Sequence, residues 1–143
     1  MRSCNDIMTQ DPTCCAAGDP VMEAVEIMKN EDVGVVPIVE DLTSKKIVGI
    51  ITDRDIVLNV VAAGKDAKSA VLQDVMTRNP VTVRPDDAIQ NALDFMSQHQ
   101  IRRIPVVDGK SRVVGIIAQA DIANRMDIPE KFEKVVENIS QPV

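Results

Sequence analysis

The sequence predicts an α/β protein made of two tandem β-α-β-β-α repeats packed pseudo-symmetrically. The first observation behind this is an internal repeat. Asp6-Ile7-Met8-Thr9-Gln10-Asp11-Pro12 returns as Asp74-Val75-Met76-Thr77-Arg78-Asn79-Pro80, Val36-Pro37-Ile38-Val39 as Ile104-Pro105-Val106-Val107, and Gly49-Ile50-Ile51 as Gly115-Ile116-Ile117. Pro12 to Pro37 and Pro80 to Pro105 both span 25 residues, so the register holds within each copy. A period near 68 residues is too long for a solenoid and suits a duplicated small unit. The second observation is that each copy carries two short, β-branched apolar runs. The third is that each run pair follows a segment with helical apolar spacing. The boundaries expected are 1–67 for the first repeat, 68–126 for the second and 127–143 for a helical extension. Two packed copies create clefts between them, and function is expected there.

The elements follow in order. Asp19 before Pro20 reads as a helix cap with proline at the first helical position. Val21, Ala24, Val25 and Met28 then keep helical spacing to about Asn30. Val33–Val39 and Ile47–Ile51 read as strands, joined by the polar turn 41–46, and Asp53–Ala63 as a helix closed by Gly64. In the second copy Pro85-Asp86-Asp87 opens a helix whose apolar positions are Ala88, Ile89, Ala92, Leu93 and Met96. Strands follow at Ile104–Val107 and Val113–Ile117 around the Asp108-Gly109 turn, then a helix from Gln119 to about Met126. Asp127 and Glu130 have capping-box spacing for a further helix. The interior strands read as apolar on both faces.

Composition narrows the functions. Phe95 and Phe132 are the only aromatic residues, and the net charge is −6. Neither suits a nucleic-acid partner, which needs stacking rings or a basic surface. The imbalance lies mostly in residues 1–71, with 7 Lys/Arg against 12 Asp/Glu; residues 72–143 carry 9 against 10. No apolar run reaches the roughly 18 residues of a membrane span, and the N-terminus has no charged-then-apolar leader pattern, so a cytoplasmic location is expected. Cys4, Cys14 and Cys15 have no Cys-x-x-Cys spacing and no histidine cluster beside them, and are read as free buried or edge thiols rather than metal ligands. His99 follows a helix without a Cys or Ser partner. There is no nucleophile motif, Walker loop or paired-acid arrangement, and the reading is non-catalytic.

The Asp-Ile-Met-Thr opening, the apolar-Pro-apolar-apolar strand and Gly49-Ile50-Ile51-Thr52-Asp53-Arg54-Asp55 resemble the cystathionine-β-synthase (CBS) domain. Two copies in one chain resemble the CBS pair, or Bateman module, in its stand-alone bacterial form of the hypoxic response protein type. The match covers residues 1–126. The resemblance implies binding of an adenosyl ligand (AMP, ADP, ATP or S-adenosylmethionine) in clefts between the copies, with no obligatory cofactor. It also implies a homodimer and a regulatory output read by a separate, unknown protein.

The candidate site residues each have a bland alternative. Thr52 and Asp55 form a capping box by sequence; the resemblance gives Thr52 to phosphate and Asp55 to the ribose hydroxyls. In the second copy Ala118 replaces the threonine while Asp121 keeps the carboxylate, so the stronger cleft is expected at Asp55. Arg102 and Arg103, where the first copy has Gly34 and Val35, are candidates for phosphate, and Arg54 is a further one. Ile101 and Val33 are candidate walls for adenine, with Asn79 and Pro80 or Asp11 and Pro12 beside them. One rival reading is a CBS scaffold without a ligand, acting as an interaction or stress-response protein; a second is a redox or metal module using Cys4, Cys14 and Cys15.

Overall fold

The computed structural model describes residues 2–125; the helix expected from Asp127 and Glu130 lies outside them. The chain runs α1 (Cys4–Ile7), β1 (Thr9–Gln10), β2 (Cys15–Ala16), α2 (Val21–Glu31), β3 (Val35–Val39), β4 (Ile47–Thr52) and α3 (Asp53–Ile56), which passes into a π-helical turn at Val57–Val61. It continues through α4 (Leu72–Val75), β5 (Thr77–Arg78), α5 (Ile89–His99), β6 (Arg103–Val107), β7 (Val113–Ala118) and α6 (Gln119–Arg125). The main helices and strands fall within a few residues of their expected places. The helix expected over Asp53–Ala63 changes from α to π winding after Ile56.

Two helix starts depart from expectation for one physical reason. Asp19 does not cap α2; its Oδ2 accepts from Ala16 N at 2.9 Å and closes the turn upstream. Asp87 likewise accepts from Arg84 N at 2.8 Å, and α5 begins only at Ile89. The leading N–H groups of these helices are already satisfied by distant carbonyls. Val21 N donates to Ala70 O at 2.9 Å, Met22 N to Ala67 O at 3.0 Å, and Ile89 N to Arg2 O at 3.0 Å. With the orphan donors met by backbone, the aspartates are free to bind locally.

The chain divides into two compact units. One comprises Pro12–Pro80 with Lys110–Val113. Its sheet has the order β2-β3-β4-β5, with β2 parallel to β3 and the other neighbours antiparallel. All five residues of β3 are buried, as an apolar run at a sheet interior should be; in β4 Gly49 and Ile51 are buried and the other four residues half-buried. Val21, Ala24, Val36, Ile38, Ile51, Val60, Leu72 and Val75 form the core. The other unit comprises the chain up to Asp11, Val81–Gly109 and the segment from Val114 on. Its sheet has the order β1-β7-β6. Ile7, Met8, Ile89, Leu93, Met96, Ile104, Ile117 and Ile122 form its core.

Each unit takes one short edge strand from the opposite sequence copy. β1, from the first copy, lies antiparallel to β7 with Thr9 opposite Ile116. β5, from the second copy, lies antiparallel to β4 with Thr77 opposite Ile50. Contiguous repeats and compact units therefore divide the chain at different points. Backbone conformation repeats with the sequence. Asp11 and Asn79, Asp32 and Gln100, and Lys45 and Ser111 are matching pairs in the left-handed region. Asp32 and Gln100 close α2 and α5, their N–H groups bonding to Met28 O and Met96 O.

Candidate functional site

In both copies a β-strand hands over directly to a helix, and the same backbone bond secures the junction. Asp53 N donates to Gly34 O at 3.0 Å, and Gln119 N to Arg102 O at 2.8 Å. At the first junction Thr52 and Asp55 form the full reciprocal box. Asp55 N donates to Thr52 Oγ1 at 3.0 Å, and Thr52 N to Asp55 Oδ2 at 3.1 Å. A third donor arrives from β5: Thr77 Oγ1 bonds to Asp55 Oδ2 at 3.2 Å. This places a carboxylate and two hydroxyls at one helix start. Thr77 was legible in sequence only as part of a repeated Met-Thr pair, with no sign of its contact to Asp55.

The second junction keeps half the box. Ala118 N donates to Asp121 Oδ2 at 3.1 Å, and no side-chain hydroxyl stands at position 118 to answer. Here, however, the surface opens into a cavity of about 390 Å³ lined by Arg102, Arg103, Ala118, Gln119, Ala120 and Ala123. Asp121 stands in the same first helical turn as Ala120. Three alanines leave the volume, and the two guanidinium groups bring positive charge to it. The sequence named the arginines and the aspartate; Gln119, Ala120 and Ala123 carried no signal because small side chains reveal space only once the backbone is placed.

The remaining candidates are distributed. Val33 is 39% exposed and precedes β3, while Ile101 packs partly buried against the core of its unit. Asn79 is exposed and left-handed at φ 51°, and Pro80 beside it is half-buried. Asp11 is the matching left-handed residue at φ 48°, followed by half-buried Pro12. Arg54 is exposed, its N–H donating to Asp53 Oδ1 at 2.8 Å. His99 is exposed near Phe95, their rings 6.2 Å apart.

All three cysteines are free thiols. Burial, and then the charges of Asp87 and Asp86, push Cys4 up to about 11. Burial, and then Asp19 and Glu23, push Cys15 up to about 12. Cys14 is raised by burial, with Lys45 opposing. No helix among the described residues is long and apolar enough to cross a membrane.

These features were compared with known proteins. A family model described as "CBS domain" matches residues 4–62 and 72–127. Protein YlbB of Bacillus subtilis is 36% identical over 141 residues, covering 99% of this chain and 93% of YlbB. Hypoxic response protein 1 of Mycobacterium tuberculosis is 35% identical over 126 residues, covering 88% of this chain and 86% of that protein. The crystal structure of Hypoxic Response Protein I with two coordinated zinc ions superposes with TM-score 0.79 at 34% identity, over 87% of this chain and 99% of that one. The CBS domain pair of protein MJ0100, crystallised with 5′-methylthioadenosine and S-adenosyl-L-methionine, gives TM-score 0.75 at 34% identity, over 87% and 94% of the two chains. With two matched domains and relatives alike along nearly their whole length, this chain belongs to the CBS-domain family.

Proposed function

We propose that this chain is a non-catalytic regulatory or sensor module that binds an adenosyl ligand. The observation that carries the reading is the cavity at the β7–α6 junction. Its volume of about 390 Å³ lies within the range of roughly 300–1,000 Å³ usual for small-molecule sites. Arg102 and Arg103 supply charge for a phosphate or carboxylate, and Asp121 supplies an acceptor for ribose hydroxyls. The ligands in the 34%-identical MJ0100 pair support the adenosyl class. This reading puts the stronger site at Asp121, where the sequence alone favoured Asp55, because an open volume counts for more than a capping hydroxyl. Ligand binding would bias one arrangement of the protein, and a separate protein would read it, in a cytoplasmic homodimer.

A second reading is a ligand-free interaction scaffold. One observation favours it: Asp55 Oδ2 is already engaged by Thr52 N and Thr77 Oγ1, so the best-matched motif has a complete structural role.

Isothermal titration calorimetry decides between them, using AMP, ADP, ATP and S-adenosylmethionine with nucleotide-stripped protein. Wild type is compared with Asp121→Asn, Asp55→Asn and Arg102→Ala/Arg103→Ala. Asparagine keeps the acceptor for the backbone cap but cannot accept from two ribose hydroxyls through both side-chain atoms. The expected result is micromolar binding that Asp121→Asn and the arginine pair abolish and Asp55→Asn weakens less. No heat from folded protein with any of the four ligands sinks the sensor reading in favour of the scaffold.

A further inference from the structure

The three thiols of this chain differ in their surroundings. Cys4 Sγ donates to Ala88 O at 3.9 Å and Cys14 Sγ to Pro12 O at 3.3 Å. Cys15 is 1% exposed, and its sulfur makes no hydrogen bond among the described residues. It faces the carboxylates of Asp19 and Glu23 instead, and one oxygen of each lies with the sulfur in a cluster whose atoms are all within 4.8 Å of one another.

The backbone builds this convergence. Cys15 opens β2, and its pairing with Ile38 of β3 fixes its direction. The turn that follows is closed by Asp19 Oδ2 on Ala16 N, and Glu23 projects from the first turn of α2. Each acid has a local reason for its position, one as a turn acceptor and the other at the positive end of a helix. Neither reason requires both to meet a buried thiol.

We propose that Cys15, Asp19 and Glu23 form a three-ligand site for a borderline-soft divalent metal, zinc by its ligand chemistry. One thiolate and two carboxylates suit zinc, whereas magnesium and calcium take oxygen alone. Ligand atoms around tetrahedral zinc stand about 3.4–3.6 Å apart, given bonds of about 2.0–2.3 Å. Glu23 is exposed, so rotation of its side chain can tighten the cluster while Cys15 stays in place. Loading breaks the Cys15 S–H bond, releases that proton to solvent and forms one sulfur–metal bond. The metal then ties β2 to the start of α2 and stabilises the unit that contains both. This departs from the sequence expectation of free thiols, because the spacing Cys-x-x-x-Asp-x-x-x-Glu matches no familiar metal motif and the turn at 17–20 is what folds it into a cluster.

The test uses the full, metal-stripped chain titrated with Co²⁺, whose near-ultraviolet charge-transfer band reports thiolate ligation, followed by competition with Zn²⁺. One Co²⁺ per chain is expected, with a band that Zn²⁺ displaces. The band should persist in Cys4→Ser and Cys14→Ser and vanish in Cys15→Ser. Cys15 belongs to the core and its substitution can unfold the unit, so Glu23→Gln provides the independent check. It should weaken Co²⁺ binding about 10-fold or more while the circular dichroism stays that of wild type. No thiolate band from folded wild type, a band that survives Cys15→Ser, or unchanged affinity in Glu23→Gln each overturns the site.

Discussion

Met76 lies across Gly49 so closely that a Cβ on the glycine would stand 2.7 Å from the methionine sulfur and 2.7 Å from Thr77 O. The corresponding pair is Gly115 with Met8, where the three nearest atoms to the added one are the methionine Sδ, Cγ and Cβ, all within 3.1 Å. These contacts seat the exchanged strands β5 and β1 on β4 and β7. Gly49→Ala should therefore destabilise the protein by about 1–3 kcal/mol, because a backbone oxygen cannot move aside as a side chain can. Gly115→Ala should cost less, and Met8→Ala should relieve part of its cost. Urea denaturation of the four chains checks this; equal losses at both glycines would refute the distinction.

The two helix junctions supply a matched pair of capping predictions. Thr52→Ala removes the acceptor for Asp55 N and should cost about 1 kcal/mol. Ala118→Thr should restore the missing half of the box at α6 and add about 0.5–1 kcal/mol, since Asp121 already holds its half. The denaturation midpoints should move in opposite directions. An unmoved midpoint in Ala118→Thr means that the hydroxyl does not reach the Asp121 N–H.

Cys4 predicts a stability loss in alkali. Its folded value lies near 11 against an ordinary 9.0, chiefly because burial disfavours the thiolate. A value raised by folding means that the folded state holds the proton more tightly. The stabilisation is whole below pH 9.0 and is lost as pH rises toward about 11. The slope from this thiol approaches about 1.4 kcal/mol per pH unit in that window. Urea midpoints of wild type and Cys4→Ala should converge as pH rises; parallel curves would rule the thiol out as the cause.

Val57, Leu58 and Val61 stand 55%, 49% and 68% exposed on the turn that continues α3. Three aliphatic side chains exposed at a single turn are the surface we propose for the homodimer. Leu58→Glu should convert dimer to monomer in sedimentation equilibrium without loss of helical signal. A wild-type chain that sediments as a monomer would remove the homodimer from the proposal.

Much of the fold is legible in the sequence. The run Val36-Pro37-Ile38-Val39 promised a buried strand and is buried; of the expected inward helix positions Val21, Ala24, Ile89, Ala92, Leu93 and Met96 are buried, while Val25, Met28 and Ala88 are half-buried. These are signals of local period, which a side chain's neighbours along the chain determine. The candidate site was legible in part, because Asp55, Asp121, Arg102 and Arg103 are distinctive residues at repeated positions. The spacing of Thr52 and Asp55 also announced their reciprocal bonds correctly.

Tertiary structure alone decided four things. It assigned β1 and β5 to the sheets of the opposite copies, a choice that two-residue strands cannot encode, since strand period says which face is buried but not which edge is paired. It turned Asp19 from a helix cap, and Asp87 from a residue of a helix's opening turn, into turn acceptors, because carbonyls far along the chain reached the helix N–H groups first. It also brought Thr77 to Asp55 across 22 residues and opened a cavity among three alanines beside Arg102 and Arg103. The sequence by itself determined the main helices and strands; the short elements α1 and α4, the π winding after Ile56, and which segments meet rest on long-range hydrogen bonding and close packing that leave no periodic trace.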